Sequence, residues 1–406
     1  MQKNALLILF PIKFTKFYYY LLDIDRLKKI KKLKVEIHDL SNDLNKKFNK
    51  GFLTKSSKKA IKFSNYEKWK KRFNQLNQKY NLVIFNFLDF NSFKSLKYLS
   101  YIKKHKLKVL RIGCSGVIEH VFNKKKNLSY YLANLKNLNF LFKKIFYNSK
   151  IKIIILFYKS FFRLNEILLI SGSEKQKIFD LSNIEKNFKF HSLDYNKTLQ
   201  IKKKSKVKRQ NMVLYFDQPK PYFYDDYLLF YGIFTKPSSD LLKEHYNKLN
   251  IFLRSVEKVY KLKVVIIPHP KVRDVKNPYY DRHFKVDQRA DAAIKLIPES
   301  KFVIYSSFST SVAYSIACTK PIIFLKTTSI GGYSAINNNY DMGLEQMSKF
   351  LSCKVFDYSK QIQKKIPIYI NKKKYDKYKY QFLTSKKLLK IENYHIIQKI
   401  IENDKI

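Results

Sequence analysis

Short runs of apolar residues, many branched or aromatic, alternate along this chain with longer stretches whose apolar positions recur every three or four residues. The first pattern belongs to strands buried on both faces, the second to helices with one covered face. Strands are predicted over Ala5–Phe10, Leu33–Ile37, Leu82–Asn86, Leu107–Ile112, Ile151–Leu156 and Ile167–Ile170. A second series covers Met212–Phe216, Leu262–Ile267, Phe302–Tyr305 and Pro321–Leu325. Helices are predicted between them, for example at Tyr66–Tyr80, Ser129–Phe146 and Ser239–Tyr260, and Tyr18–Lys34 also reads as helical. Within Ser239–Tyr260, Leu242, Leu249, Leu253, Val256 and Tyr260 share one face, with Ser239 or Asp240 as the cap. Alternation of strand and helix implies parallel sheets covered by helices on both faces, an α/β architecture.

The alternation breaks near residue 205. Ile201–Gln210 reads IKKKSKVKRQ, almost free of apolar residues, as a solvated linker would be. It divides the chain into two Rossmann-like domains, residues 1–205 and 206–371, expected to face each other across a cleft. Residues 372–406 carry two helical patterns, expected to pack back on the first domain. No internal repeat is evident.

Composition narrows the class. Apolar residues at 45% and aromatics at 16% supply a core, which excludes disorder as the main state. Only 8 residues of 406 are Gly, so Gly-rich phosphate loops are excluded. Cys114, Cys318 and Cys353 are too scattered for a disulfide framework or a zinc site, and suit a reducing compartment. Near the start, Ala5–Phe10 is six apolar residues before Pro11, whereas a spanning helix needs about 20. The expectation is therefore a cytoplasmic protein that begins at Met1 with no leader.

Lys and Arg number 82 against 31 Asp and Glu, a formal charge of +51. Nucleic acid is the sharpest partner for such a charge. However, the basic residues run the whole length, and no helix-turn-helix, zinc finger or RNA-recognition pattern accompanies them. Lys, Asn, Ile, Tyr and Phe are all abundant, as an AT-rich coding sequence produces, so the charge reads as solvated surface and no nucleic-acid partner is expected. Peripheral attraction to an anionic membrane is a third reading, at roughly 1 kcal/mol per basic residue near the surface.

Three segments carry candidate chemistry. In Lys263–Pro270, a buried strand ends abruptly in Pro268-His269-Pro270, and Lys271 and Arg273 follow. The prolines fix the backbone around the imidazole at the carboxyl end of a parallel strand, where open α/β sheets bind ligands. His269 could donate there to a phosphate oxygen, with Pro270 and Lys271 beside it. The second segment packs strand, hydroxyl-rich turn and helix into few residues. Ser306, Ser307, Ser309, Thr310 and Ser311 exceed what N-capping needs and suit an anion. In the third, Leu214–Pro219, Asp217 and Gln218 follow a strand, and Asp217 is a candidate base or hydroxyl ligand, though Asp-Gln-Pro also makes a good turn. Asp225-Asp226 lies close by. Ser171–Ser173 and Gly113–Gly116 are strand-end loops of weaker signal.

Other patterns fail. Asp23-Ile24-Asp25 matches an Asp-x-Asp metal pattern but lies away from any predicted strand end. No GxGxxG, Walker loop, HExxH or GxSxG occurs, and His191 and His283 lack partners at ligand spacing. No metal or other cofactor is expected.

His269-Pro270 followed by Ser306-Ser307 resembles the nucleotide-binding half of bacterial GT-B glycosyltransferases, notably the sialyltransferase, polysialyltransferase and Kdo-transferase groups. The wider run through Leu214–Pro219, Tyr246–Asn250, Val264–Pro270 and Ser306–Leu325 looks like uncharacterised bacterial surface-polysaccharide proteins, as does His191-Ser192-Leu193-Asp194-Tyr195. The likeness covers about half the chain. It implies a GT-B-like fold, with an acceptor-side first domain and a nucleotide-sugar-binding second domain. It also implies that His269 and Ser306/Ser307 contact the phosphate and ribose of a nucleotide sugar, with a CMP-activated acidic sugar as the leading donor and no metal. The acceptor would be a glycan or glycolipid of lipopolysaccharide or capsule synthesis. The paired acidic residues followed by Gly of the sialyltransferases have no match here, and Asp217 stands in from its position alone. The alternatives are a UDP-sugar epimerase or transferase of the same fold, a basic nucleic-acid-binding protein and a non-catalytic assembly protein.

Overall fold

The computed structural model describes residues 3–46, 48–90, 92–113, 138–173, 181, 183–202, 211–218, 221–223, 237–307, 309–326, 334–388 and 391–402. Of the predicted linker, only Ile201 and Lys202 are among them. Cys114–Gly116, the start of the Ser129–Phe146 helix, Pro219, Asp225 and Asp226 lie outside the described residues.

Two compact units divide the chain. The first takes in residues up to Cys114, Asn139–Leu193 and Thr384–Ile406; the described residues of the second are Leu138 and those from Asp194 to Leu383. The chain thus changes unit between Leu193 and Asp194 and returns between Leu383 and Thr384.

The first unit holds β1 (Asn4–Phe10), β2 (Leu33–Asp39), β3 (Ile61–Lys62), β4 (Asn81–Asn86), β5 (Lys108–Ile112), β6 (Asn165–Ile170) and β7 (Asn183–Lys189). All pair in parallel, in the order β3-β2-β1-β4-β5-β6-β7. β1 is apolar from Ala5 to Phe10 because both faces are covered. Leu7 and Leu9 face a core with Trp69, Phe73, Leu76 and Leu99, while Leu6 and Ile8 face a second core built with Ile396, Ile397 and Ile400. The last helix, Asn393–Ile401, therefore closes one face of this sheet, and Lys372–Tyr378 belongs to the second unit. A buried ion pair joins β5 to β6. Arg111 Nε lies 2.7 Å from Glu166 Oε2, and Arg111 Nη1 donates to the Leu88 carbonyl at 2.9 Å.

The second unit holds β8 (Met212–Phe216), β9 (Lys263–Ile267), β10 (Lys285–Val286), β11 (Val303–Tyr305), β12 (Ile322–Lys326) and β13 (Lys354–Asp357). These are again all parallel, in the order β10-β9-β8-β11-β12-β13. The expected α/β class with two Rossmann-like parallel sheets is what the chain forms. Helix Ser239–Tyr260 covers this second sheet with Leu242, Tyr246, Leu249, Leu253 and Val256. Its cap is Ser238, one residue before the predicted Ser239 or Asp240: the Ser238 hydroxyl accepts the Leu241 N–H at 3.3 Å. Ser238→Ala should cost about 1 kcal/mol, read as a lower urea midpoint with an unchanged slope; a midpoint equal to wild type would show that the cap contributes nothing.

One predicted strand is overturned. Ile151–Leu156 lies within a 20-residue helix, Leu138–Phe157, which continues as a wider π-type turn over Tyr158–Phe162. The segment imitates a strand because this helix is apolar on more than one face, so its periodicity vanishes and a continuous apolar run is left. The crossover between the parallel strands β5 and β6 requires such an element. Tyr18–Lys34 is also not one helix, but two short ones, Lys16–Leu21 and Ile24–Leu27, followed by β2. No helix among the described residues is long and apolar enough to cross a membrane.

Candidate functional site

The candidate residues sit on the carboxyl edge of the second sheet. β9, β8 and β11 are neighbours, with Phe216 level with Ile267 on one side and Tyr305 on the other. The next residues, Asp217, Pro268-His269 and Ser306, therefore leave the sheet at the same height. The Asp217 N–H donates to the Ile267 carbonyl at 3.0 Å, and the Ser306 hydroxyl donates to the Phe216 carbonyl at 3.0 Å. Between β8 and β11 the strand order reverses, and at such a switch point the connections diverge and open a crevice.

His269 is half-buried at the end of β9. Its Nδ1 faces the Lys271 N–H at 3.3 Å and accepts from it, so the ring proton belongs on Nε2. Burial, reinforced by the charges of Lys271 and Arg273, pushes its pKa down to about 3. At neutral pH His269 is thus an uncharged donor through Nε2–H. Pro270 and Lys271 continue the turn, both half-buried, and Arg273 is buried with its Nη2 3.4 Å from the Pro268 carbonyl.

Asp217 is partly buried, and burial pushes its carboxyl up to about 7; the Tyr280 hydroxyl, the Gln218 backbone and the Tyr215 hydroxyl act in the opposite direction. The adjoining wall is aromatic: Tyr246 stacks on Tyr279 at 5.4 Å and meets Tyr280 edge-on at 5.4 Å. Gln218 itself is buried. A carboxyl that changes charge near neutral pH at a sheet's ligand edge is suited to taking a proton.

The hydroxyl-rich turn resolves into distinct parts. Ser306 is buried, and its hydroxyl fastens β11 to β8. Ser307 and Ser309 are half-buried and Thr310 is exposed. Ser309 accepts the Ser311 N–H at 3.2 Å, with its hydroxyl 2.9 Å from that of Ser311. The helix that follows, Val312–Ala317, has only six residues, so its dipole adds little and the turn itself must supply the donors.

Two residues of the His191–Tyr195 segment fall in different places. In the first unit, His191 is fully buried: Nδ1 lies 2.7 Å from the Thr384 hydroxyl, Nε2 lies 2.7 Å from the Ile391 carbonyl, and its backbone exchanges hydrogen bonds with the Asn393 side chain. It is an anchor for the C-terminal segment. In the second unit, Asp194 is buried, which raises its pKa, while the hydroxyls of Tyr314 and Thr310 hold it back. The Thr310 hydroxyl is thus turned toward Asp194. The partners of Asp217 were missed in the sequence. Tyr215 precedes it on β8 and had a local signal, but Tyr280 comes from the long connection after β9 and had none. Asp23 and Asp25 take local partners, Arg26 and the Tyr19 hydroxyl, and no cluster of three metal-ligating residues occurs among the described residues.

No protein-family model and no curated protein matches the chain. Among solved structures it is similar to the wall teichoic acid polymerase TagF, at 12% identity over 99% of this chain and 88% of that one, with a TM-score of 0.49. It is also similar to the glycosyltransferase SnogD from Streptomyces nogalater, at 8% identity over 99% and 100% with a TM-score of 0.47. UDP-N-acetylglucosamine 2-epimerase from Rickettsia bellii is similar at 11% identity over 99% and 98%, with a TM-score of 0.41. At such identities and scores the chemistry has to be read from the residues of this chain.

Proposed function

We propose that this protein is a nucleotide-sugar-dependent glycosyltransferase of GT-B type acting in bacterial surface-glycan synthesis, with the donor held against the second unit. The observation that carries this reading is the convergence of Asp217, His269 and the Ser306–Ser311 turn on three adjacent strand ends at the switch point of a parallel sheet. The supports are the neutral Nε2 donor of His269, the titratable Asp217 and an anion-suited turn without glycines.

In the proposed reaction, an acceptor hydroxyl oxygen attacks the anomeric carbon while the bond from that carbon to the phosphate oxygen breaks. The electron pair of that bond goes to the departing nucleotide, whose phosphate accepts a hydrogen bond from His269 Nε2–H. The hydroxyl proton passes to the Asp217 carboxylate. Ser307 and Ser309 would add hydrogen bonds to the phosphate or ribose, with the Lys271 charge nearby. Ser306 would act from behind by holding the two strand ends in register.

Thermal stabilisation by CMP, UDP, GDP and ADP tests the donor side. A nucleotide present at about 100 times its Kd stabilises by roughly 2.7 kcal/mol, which is readable as a shift in Tm. Stabilisation by CMP, somewhat weakened in His269→Ala, is the expected result and narrows the donor to CMP-activated sugars. Stabilisation by UDP alone would transfer the reading to a UDP-sugar enzyme, and turnover of UDP-sugar without acceptor would make that enzyme an epimerase or hydrolase. Silence from all four nucleotides would overturn the proposal.

A further inference from the structure

The helix Leu138–Phe157 buries one stripe and leaves the opposite one bare. Ile154 and Tyr158 are fully buried in the first unit's core, with Ile155 and Phe162 packed against it. On the outer face, at 3.6 residues per turn, Phe142, Ile145, Phe146, Ile153, Leu156 and Phe157 fall within one band. They are exposed, Phe146 at 75%, Phe142 at 70% and Leu156 at 63%. Beyond the helix the apolar surface continues through Phe161 and reaches Phe93, whose ring meets Phe157 at 6.0 Å. Lysines border this band on both sides: Lys143 and Lys150 along one edge, Lys152 and Lys159 along the other, all exposed. From Leu138 to Asn165 the chain contains no Asp or Glu.

We propose that this face seats the protein on an anionic lipid surface, with the helix lying in the plane of the interface. An apolar ridge flanked by lysines on both sides suits that position: the ridge enters the acyl boundary by about 5–10 Å, and the lysine stems run up beside it so that the ammonium groups reach lipid phosphates. A helix of this length spans about 30 Å along the surface. A second copy of the chain fits less well, because two-fold pairing of this helix would set lysines against lysines with no carboxylate from Leu138 to Asn165 to offset them. The wide apolar band also exceeds what a purely electrostatic partner needs.

Flotation of the full chain with vesicles of phosphatidylcholine, alone or mixed with phosphatidylglycerol, tests the proposal. Binding is expected with phosphatidylglycerol and is expected to weaken about five-fold for each of Lys143→Gln, Lys150→Gln and Lys152→Gln. The triple change Phe142→Ser, Phe146→Ser and Leu156→Ser should weaken it by at least about ten-fold while leaving nucleotide-induced stabilisation as in wild type, because these side chains are exposed and lie in the other unit. Phe146→Trp adds a direct reporter, since the chain's one tryptophan, Trp69, is fully buried. Its added emission should shift to the blue on phosphatidylglycerol vesicles. Absence of vesicle binding would overturn the proposal, as would equal binding by the triple variant. A wild-type dimer that the triple change splits, without vesicle binding, would assign the face to self-association instead.

Discussion

Asp217→Asn is expected to lower the rate of sugar transfer by about 10²–10⁴-fold while nucleotide binding survives. The argument starts from where the carboxyl sits. It leaves β8 at the switch point, partly buried, and burial pushes it up to about 7. A base of that strength is ionised for about half the molecules at neutral pH and is still able to take a hydroxyl proton as the bond to the anomeric carbon forms. The wild-type rate should therefore rise with pH through about 7, and this limb should vanish in the Asn variant. Stability moves the other way. The folded chain holds the Asp217 proton up to about pH 7, whereas the unfolded chain releases it near the ordinary carboxylate value of 3.8. Between those values the unfolded state binds fewer protons, so raising the pH from about 4 to about 7 favours unfolding, by a few kcal/mol at most. Asn imitates the protonated form without ionising. Denaturant titrations should find the variant level with wild type near pH 4 and more stable at pH 8. An Asn variant that is stabilised in this way yet transfers sugar at the wild-type rate would leave Asp217 as a buried structural carboxyl and remove it from the mechanism.

The parts of this fold that could be read in the sequence are those buried on both faces. β1, β4, β8 and β12 are continuous apolar runs because helices cover both sides of each sheet, and no other placement hides them. The strands that escaped notice lie at the edges. β7 reads NIEKNFK and is exposed at nearly every position, and β13 reads KVFD, so neither carries an apolar run; β3 and β10 are two residues each. Their strand character comes from pairing with a neighbour, which is a tertiary fact. Helix Leu138–Phe157 failed for the converse reason, with apolar residues facing both the core and the outside. At the candidate site, His269 was legible because Pro268 and Pro270 mark the strand end in the sequence itself. The role of Ser306 was not, because its bond to the Phe216 carbonyl depends on the register of β11 against β8. Nor was the raised Asp217 carboxyl, whose surroundings include Tyr280 from 63 positions away in the chain.

His269→Ala is expected to lower turnover by about 10²–10³-fold, and the way it does so separates two roles for an imidazole. A general acid must be protonated to act, so its rate falls as pH rises through its pKa. His269 is pushed down to about 3 by burial and by the charges of Lys271 and Arg273, so it carries no transferable proton above about pH 5. What it offers is the Nε2–H, fixed in place because Nδ1 accepts the Lys271 N–H at 3.3 Å. A neutral donor of this kind is needed most when negative charge gathers on the phosphate of the departing nucleotide, so its loss should appear chiefly in kcat, with a smaller rise in KM. His269→Asn, whose amide can donate toward the same region, should recover part of the rate. The shape of the pH–rate curve between pH 5 and 9 should be the same in wild type and in both variants, because the ascending limb is assigned to Asp217 and not to His269. The depressed pKa also fixes the sign on stability. The unfolded chain takes up a proton here near 6.5 and the folded chain only near 3, so acidification across that range favours unfolding in wild type and should do so less in His269→Ala. A descending limb that belongs to wild type and disappears in His269→Ala would make the imidazole a proton donor after all, and a turnover within two- to three-fold of wild type would take it out of the site.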